Sequence, residues 1–148
     1  MGTQENREQN TILVAVDESS YASKVAENAA RLAHLTGSNV LILSVIAMPK
    51  LVMSEGEINS FTIKDQEQKF LSFQKNLIDK FFTDPRVLVE SKVIFGEPAG
   101  KICEYAETIH ADLIIVGSTG AGRLKRFLGS VSESVAKNAK CSVMIVRR

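Results

Sequence analysis

Asp112-Leu113-Ile114-Ile115-Val116-Gly117-Ser118-Thr119-Gly120-Ala121-Gly122-Arg123-Leu124-Lys125-Arg126-Phe127-Leu128-Gly129-Ser130-Val131-Ser132-Glu133-Ser134 changes character twice. Leu113 to Val116 is an apolar, β-branched run of the kind that forms a strand buried on both faces. Gly117, Gly120 and Gly122 break it into a loop that carries Arg123, Lys125 and Arg126, and a helix restarts at Gly129-Ser130. A strand, a glycine loop and a helix N-terminus in succession suit an anion. The glycines let backbone N–H groups approach and point inward, and the helix end adds partial positive charge. Taken alone, the loop is explained equally well by a turn and a helix cap.

The chain before this stretch repeats one alternation. Thr11 to Val16 reads as a buried strand ending at Asp17. Ser19 or Ser20 is the expected N-cap of a helix whose Ala22, Val25, Ala26, Ala29, Leu32 and Ala33 recur at helical spacing. Gly37 stops that helix, and Val40 to Ile46 forms a second buried strand. Met48 to Thr62, broken by Pro49 and Gly56, reads as a mobile crossover. Ile63 to Phe82 is an amphipathic helix with Phe70, Leu71, Phe73, Leu77, Ile78 and Phe81 on one side, stopped at Asp84-Pro85. Val87 to Phe95 alternates like an edge strand. Gly96-Glu97-Pro98 turns into a helix carrying Ile102, Ala106 and Ile109. After the glycine loop come a helix over Ser130 to Asn138 and a last strand over Ser142 to Val146.

Strands and helices therefore alternate as β-α-β-α-β-α-β-α-β, with connections long enough for right-handed crossovers. The expected fold is α/β: one domain, a doubly wound open parallel sheet of five strands with helices on both faces, Rossmann-like. In such sheets ligands sit beyond the carboxyl ends of the strands, where the winding reverses. With strand order 3-2-1-4-5, the loop after Val16 and the loop after Val116 meet at that reversal. Asp17 is then a site residue in preference to a simple helix cap.

At 148 residues the chain is long enough for a full core, and its net charge of +1 argues against wholesale nucleic-acid or membrane-surface binding. Residues 1–10 are polar and read as a loose N-terminal tail, with the domain over 11–148. No apolar run reaches the ~18–20 residues of a membrane span, so no membrane partner is expected. Cys103 and Cys141 lack metal-site spacing and read as reduced thiols at the core or its boundary. A soluble, cytoplasmic protein is the expectation. His34 and His110 read as helix C-terminal cations, not catalytic groups, and the phenylalanine stripe reads as core, not as a stacking platform.

The loop is not a Walker A sequence, because no Gly-Lys-Ser/Thr follows it, and it lacks the third glycine of the dinucleotide fingerprint. From Thr11 to Val146 the chain resembles the universal stress protein family, in its nucleotide-binding branch. That branch is marked by Gly-x2-Gly-x9-Gly-Ser/Thr. Here Gly117-Ser118-Thr119-Gly120 is followed by Gly129-Ser130-Val131-Ser132. Ile12-Leu13-Val14-Ala15-Val16-Asp17, Ser44-Val45-Ile46 and Phe95-Gly96-Glu97-Pro98 also match. The chain departs once: Ala121 to Leu128 is one residue shorter than the family spacing.

The resemblance implies ATP or ADP as ligand, with magnesium carried mainly by the phosphates. It implies that Asp17 contacts the ribose or base side and that Val45 meets adenine through its backbone. Gly117, Gly120, Gly129 and Ser130 would bind ribose and phosphates, and Val131 and Ser132 would complete the helix N-terminus. Arg123 is a candidate phosphate contact; with Lys125 and Arg126 it reads equally well as a solvated basic loop. Ser130-x-x-Glu133 also reads as a capping box. A homodimer through the C-terminal strand is implied as well. No general base or arginine finger stands beside the loop, so the expected function is stress-response regulation by nucleotide binding, without catalysis. The alternatives are an interaction module of the same fold that binds no nucleotide, and a slow metal-dependent ATPase.

Overall fold

The computed structural model of the chain describes residues 9–48, 60–118 and 128–147. Nine elements follow in strict alternation: β1 (Thr11–Ala15), α1 (Ala22–Thr36), β2 (Asn39–Ile46), α2 (Ser60–Phe81), β3 (Val89–Phe95), α3 (Pro98–Thr108), β4 (Leu113–Gly117), α4 (Ser130–Asn138) and β5 (Ser142–Val146). The strands form one sheet in the order β3-β2-β1-β4-β5, every pair parallel. This is the topology expected from the alternation. The crossover assigned to Met48–Thr62 falls mostly outside the described residues.

Alternation along the central strands sends side chains to two separate cores. Ile12, Val14 and Val16 point to one face, where the small residues Ala22, Ala26, Ala29 and Ala33 let α1 lie close and Leu77 of α2 joins them. Leu13 points to the other face with Leu41, Leu43, Ile114 and Val116, under Ile102 and Ala106 of α3 and Val135 of α4. Leu13, Val14, Ile42, Leu43, Ile114 and Ile115 are fully buried, as strands covered on both sides require. β3 is an edge strand: Glu90, Ser91 and Lys92 are exposed. It begins at Val89 because Asp84 to Val87 is a turn, with the Asp84 carboxylate accepting from Arg86 N at 3.0 Å and the Asp84 carbonyl from Val87 N at 3.1 Å. The expected start at Val87 is thereby moved two residues.

The helix ends correct two capping expectations. α1 has Tyr21 at its N-cap in helical conformation, with no side-chain cap, so neither Ser19 nor Ser20 fills that role. The turn is held instead by Asp17 Oδ1, which accepts from Ser19 N at 2.9 Å, and by the Ser19 carbonyl, which accepts from Ala22 N at 3.2 Å. At α4 the extended Gly129 occupies the N-cap, Ser130 is the first helical residue, and no side chain caps the helix. The capping box is therefore absent, and Glu133 pairs with Lys137 at 3.1 Å. Gly37 ends α1 at φ 68, the left-handed conformation that glycine adopts most freely, and donates to the Ala33 carbonyl. His34, in the last turn of α1, lies 2.7 Å from the Asp84 carboxylate.

Glu97 caps α3: its carboxylate accepts from Ala99 N at 3.1 Å and from Gly100 N at 2.6 Å. Glu97→Ala should lower unfolding stability by about 1 kcal/mol, read by urea denaturation. Hydrogen bonds from Arg86, with His34 adding to them, hold the Asp84 carboxyl well below the usual carboxylate range. A depressed carboxyl contributes stability above its unfolded value of about 3.9, and that contribution is lost as pH falls toward the native value. Asp84→Asn should accordingly be less stable at neutral pH yet lose less stability than the parent between about pH 5 and about pH 2.

Candidate functional site

β1 and β4 are neighbours, but the chain leaves β1 to build β2 and β3 on one side and returns to build β4 and β5 on the other. At such a reversal a cleft opens beyond the carboxyl ends of the two strands. Its volume is about 300 Å³, at the lower end of ligand-sized cavities. The walls come from Val16 and Asp17 after β1, Val45 of β2, Gly117 of β4, and Gly129, Ser130, Val131 and Ser132 at the start of α4. Seven of the expected site residues are thus brought to one cleft from four separate segments. The other two, Gly120 and Arg123, lie outside the described residues, as do Lys125 and Arg126.

The two ends of the glycine loop are stapled together. The Ser118 carbonyl accepts from Gly129 N at 2.6 Å and from the Ser132 hydroxyl at 2.8 Å. Ser132 is buried, and its hydroxyl also reaches the Gly129 carbonyl at 3.0 Å. Ser118 itself is anchored to β5, its N–H donating to the Val146 carbonyl at 2.9 Å. Gly117 and Gly129 are therefore held at the same corner of the sheet. Since Gly129 supplies no side-chain cap, the first-turn amides of α4 stand at the cleft with the positive end of the helix dipole.

Opposite them, Asp17 is exposed and spends one carboxylate oxygen on Ser19 N. Glu18 pairs with Lys69 of α2 at 3.5 Å. Ser19 and Tyr21, from the turn before α1, also line the cleft, and the remaining walls are apolar: Ala22 and Val25 of α1, Leu43 of β2, and Pro98 and Ile102 of α3. The sequence places Ala22, Val25, Leu43 and Ile102 in the core and Pro98 at a helix start, gives Tyr21 no role, and marks none of them as lining. Pro98 had a legible signal, because a proline opening a helix after a strand must sit at the carboxyl edge of the sheet. A cleft with an apolar wall, one carboxylate and a helix N-terminus can take a ligand with an apolar body, hydroxyls and an anionic tail. Among the described residues no group of three or more His, Cys, Asp or Glu is placed to hold a metal ion. Cys103 and Cys141 are free, half-buried and packed against the α3/α4 core, where burial pushes both thiols up.

Fold and cleft define a doubly wound α/β protein with a candidate ligand site at its winding reversal. The model of the universal stress protein family matches residues 9–147, and the chain belongs to that family. Universal stress protein MJ0531 of Methanocaldococcus jannaschii is 32% identical over 142 residues, spanning 93% of this chain and 81% of the relative. Among solved structures, hypothetical protein MJ0577 superposes with a TM-score of 0.80 at 26% identity, covering 94% of this chain and 96% of its own. The universal stress protein from Archaeoglobus fulgidus in complex with dAMP gives a TM-score of 0.67 at 26% identity, covering 93% and 98%.

The staple predicts the effect of removing the Ser132 hydroxyl. The Ser118 carbonyl would keep Gly129 N, and the Gly129 carbonyl would keep Glu133 N, so no buried acceptor is left bare. Ser132→Ala should therefore cost only about 1 kcal/mol in urea unfolding, whereas the bulkier Ser132→Leu should cost more by overpacking.

Proposed function

We propose that this chain is an adenine-nucleotide-binding regulatory protein of the stress response, with ATP or ADP seated at the β1/β4 reversal. The observation that carries the reading is the convergence of Asp17, Gly117 and the Gly129–Ser132 helix start on one cleft. In this reading the base lies on the Val45 side, among Pro98 and Ile102, where apolar walls favour a planar ring. Asp17 keeps one carboxylate oxygen beyond its own turn and accepts from a ribose hydroxyl. The phosphates lie toward Gly117, Gly120, Gly129 and Ser130, and accept from the uncapped amides of α4. Arg123 adds charge from the loop. Magnesium is carried by the phosphates and their waters, in keeping with its preference for partial hydration.

The dAMP complex of the Archaeoglobus fulgidus relative supports a nucleotide monophosphate unit in this fold. Gly129 is tied to Ser118 at the base of the loop that is one residue short, which supports the helix start as the phosphate side of the cleft. The role is binding without turnover: the described lining holds one carboxylate, Asp17, which this reading gives to the ribose, and no histidine to serve as a general base. We further propose a cytoplasmic homodimer paired through β5, whose outer edge has no strand partner among the described residues.

Equilibrium titration with ATP and magnesium should give saturable binding below the millimolar range. Asp17→Asn keeps the acceptor for Ser19 N while removing the charge, and should weaken affinity about tenfold, or about 1.4 kcal/mol. ATP should also raise the unfolding temperature by mass action. No saturation at millimolar ATP would leave the interaction-module reading in its place, and metal-dependent phosphate release abolished by Asp17→Asn would establish an ATPase. Light scattering at micromolar protein should report a dimer, and a monomeric mass would overturn the β5 pairing.

A further inference from the structure

The side chain buried most deeply on α2 is polar. Gln74 is 0% exposed, within a stripe that otherwise faces the core with Phe73, Leu77, Ile78 and Phe81. Its Nε2 donates to the Lys92 carbonyl of β3 at 2.9 Å and to the Ser44 hydroxyl of β2 at 2.9 Å. A carbonyl can only accept, so the amide nitrogen, not its oxygen, must face this pair. Both N–H groups are thereby used, and a further approach to the Ile42 carbonyl at 3.5 Å is too long to count. The amide oxygen is buried with no donor among the described residues. An apolar residue of similar length would avoid that cost, so packing alone does not account for a glutamine here.

The hydrogen bonds run onward to the cleft. Ser44 is also fully buried, and its hydroxyl donates to the Val16 carbonyl at 2.8 Å. Since Gln74 approaches Ser44 as a donor, it occupies the acceptor side of the hydroxyl and leaves the proton for Val16. Val16 N donates to the Leu43 carbonyl at 3.0 Å, so both backbone polar groups of Val16 are held by β2. Val16 is the residue just past the end of β1, and the next residue is Asp17, whose carboxylate closes its turn on Ser19 N. The last fixed point before the cleft loop is therefore set from α2, through two buried side chains.

We propose that Gln74 is a positioning residue for the cleft: by directing the Ser44 hydroxyl it fixes the Val16 carbonyl and, with it, the turn that presents Asp17. For its functional half this rests on the nucleotide reading above. The Lys69–Glu18 pair, 3.5 Å apart on the exposed side of the same helix, also reaches this loop, but a solvated pair contributes little to its position.

The test uses Gln74→Met, which keeps length and loses the donors, and Ser44→Ala, which removes the hydroxyl. Leu77→Val, a core truncation on the same helix, serves as the control for general destabilisation. In the ligand-free protein, NMR-detected amide exchange at Val16 and Ser19 should accelerate about tenfold relative to Ile115 in both variants, the size expected for one lost hydrogen bond. ATP affinity should fall about five- to tenfold in both. Leu77→Val should change neither ratio. Unchanged relative exchange at Val16 and Ser19 overturns the proposal. So does faster exchange with ATP affinity at the parent value. If the parent protein binds no ATP, the nucleotide reading falls, while the exchange measurement still decides whether Gln74 holds this turn. If Gln74→Met does not fold, Ser44→Ala carries the same measurements.

Discussion

The candidate site depends on β1 being paired in parallel with β2 on one side and β4 on the other. That double pairing buries Leu13 and Val14 completely and forces the chain to wind away from β1 in opposite directions. Where the winding parts, no crossover helix among the described residues covers the strand ends, and the cleft is the space left over. Its position follows from topology, and side chains only furnish it.

The furnishing is unequal between the two halves. On the β4 side the cleft offers backbone groups: the Ser118 carbonyl gathers Gly129 and Ser132, and α4 starts uncapped toward the cleft. On the β1 side it offers a carboxylate, on a turn that it partly holds itself. A backbone site presents donors to an anion with little reorganisation, whereas a carboxylate on a short turn needs its base held. The Gln74–Ser44–Val16 chain meets that need from beneath the sheet. Its polar groups are buried where apolar ones would pack at lower cost, which fits a role in geometry more than one in stability.

Much of the fold was legible because the strands are buried on both faces and the helices are amphipathic. Ile12 to Val16 and Leu113 to Val116 could hardly be anything else, and their separation by long crossovers implied parallel pairing. The strand ends and caps were less legible. Ser19, Ser20 and Ser130 have capping chemistry, yet Tyr21 and Gly129 occupy those positions. In each case a hydrogen bond outside the helix, Ser19 N to the Asp17 carboxylate or Gly129 N to the Ser118 carbonyl, holds the entering chain, and local composition does not carry that information. Gln74 escaped notice for a related reason. Its spacing from Phe70, Leu77 and Phe81 puts it in the apolar stripe, but nothing along α2 reveals that a hydroxyl of β2 and a carbonyl of β3 lie there.

The sequence by itself determined the alternation of elements, the two-faced burial and the residue types available for a site at Asp17 and around Gly117 and Gly129. These are properties of neighbours along the chain, set by period and side-chain type. Only the tertiary structure decided that Asp17, Val45, Gly117 and Ser130 share one cleft, that the glycine loop is closed at its base, and that a glutamine on α2 reaches the carbonyl before Asp17 through a serine on β2. Those relations join residues far apart in the chain, and they exist only once parallel pairing has brought the strand ends together.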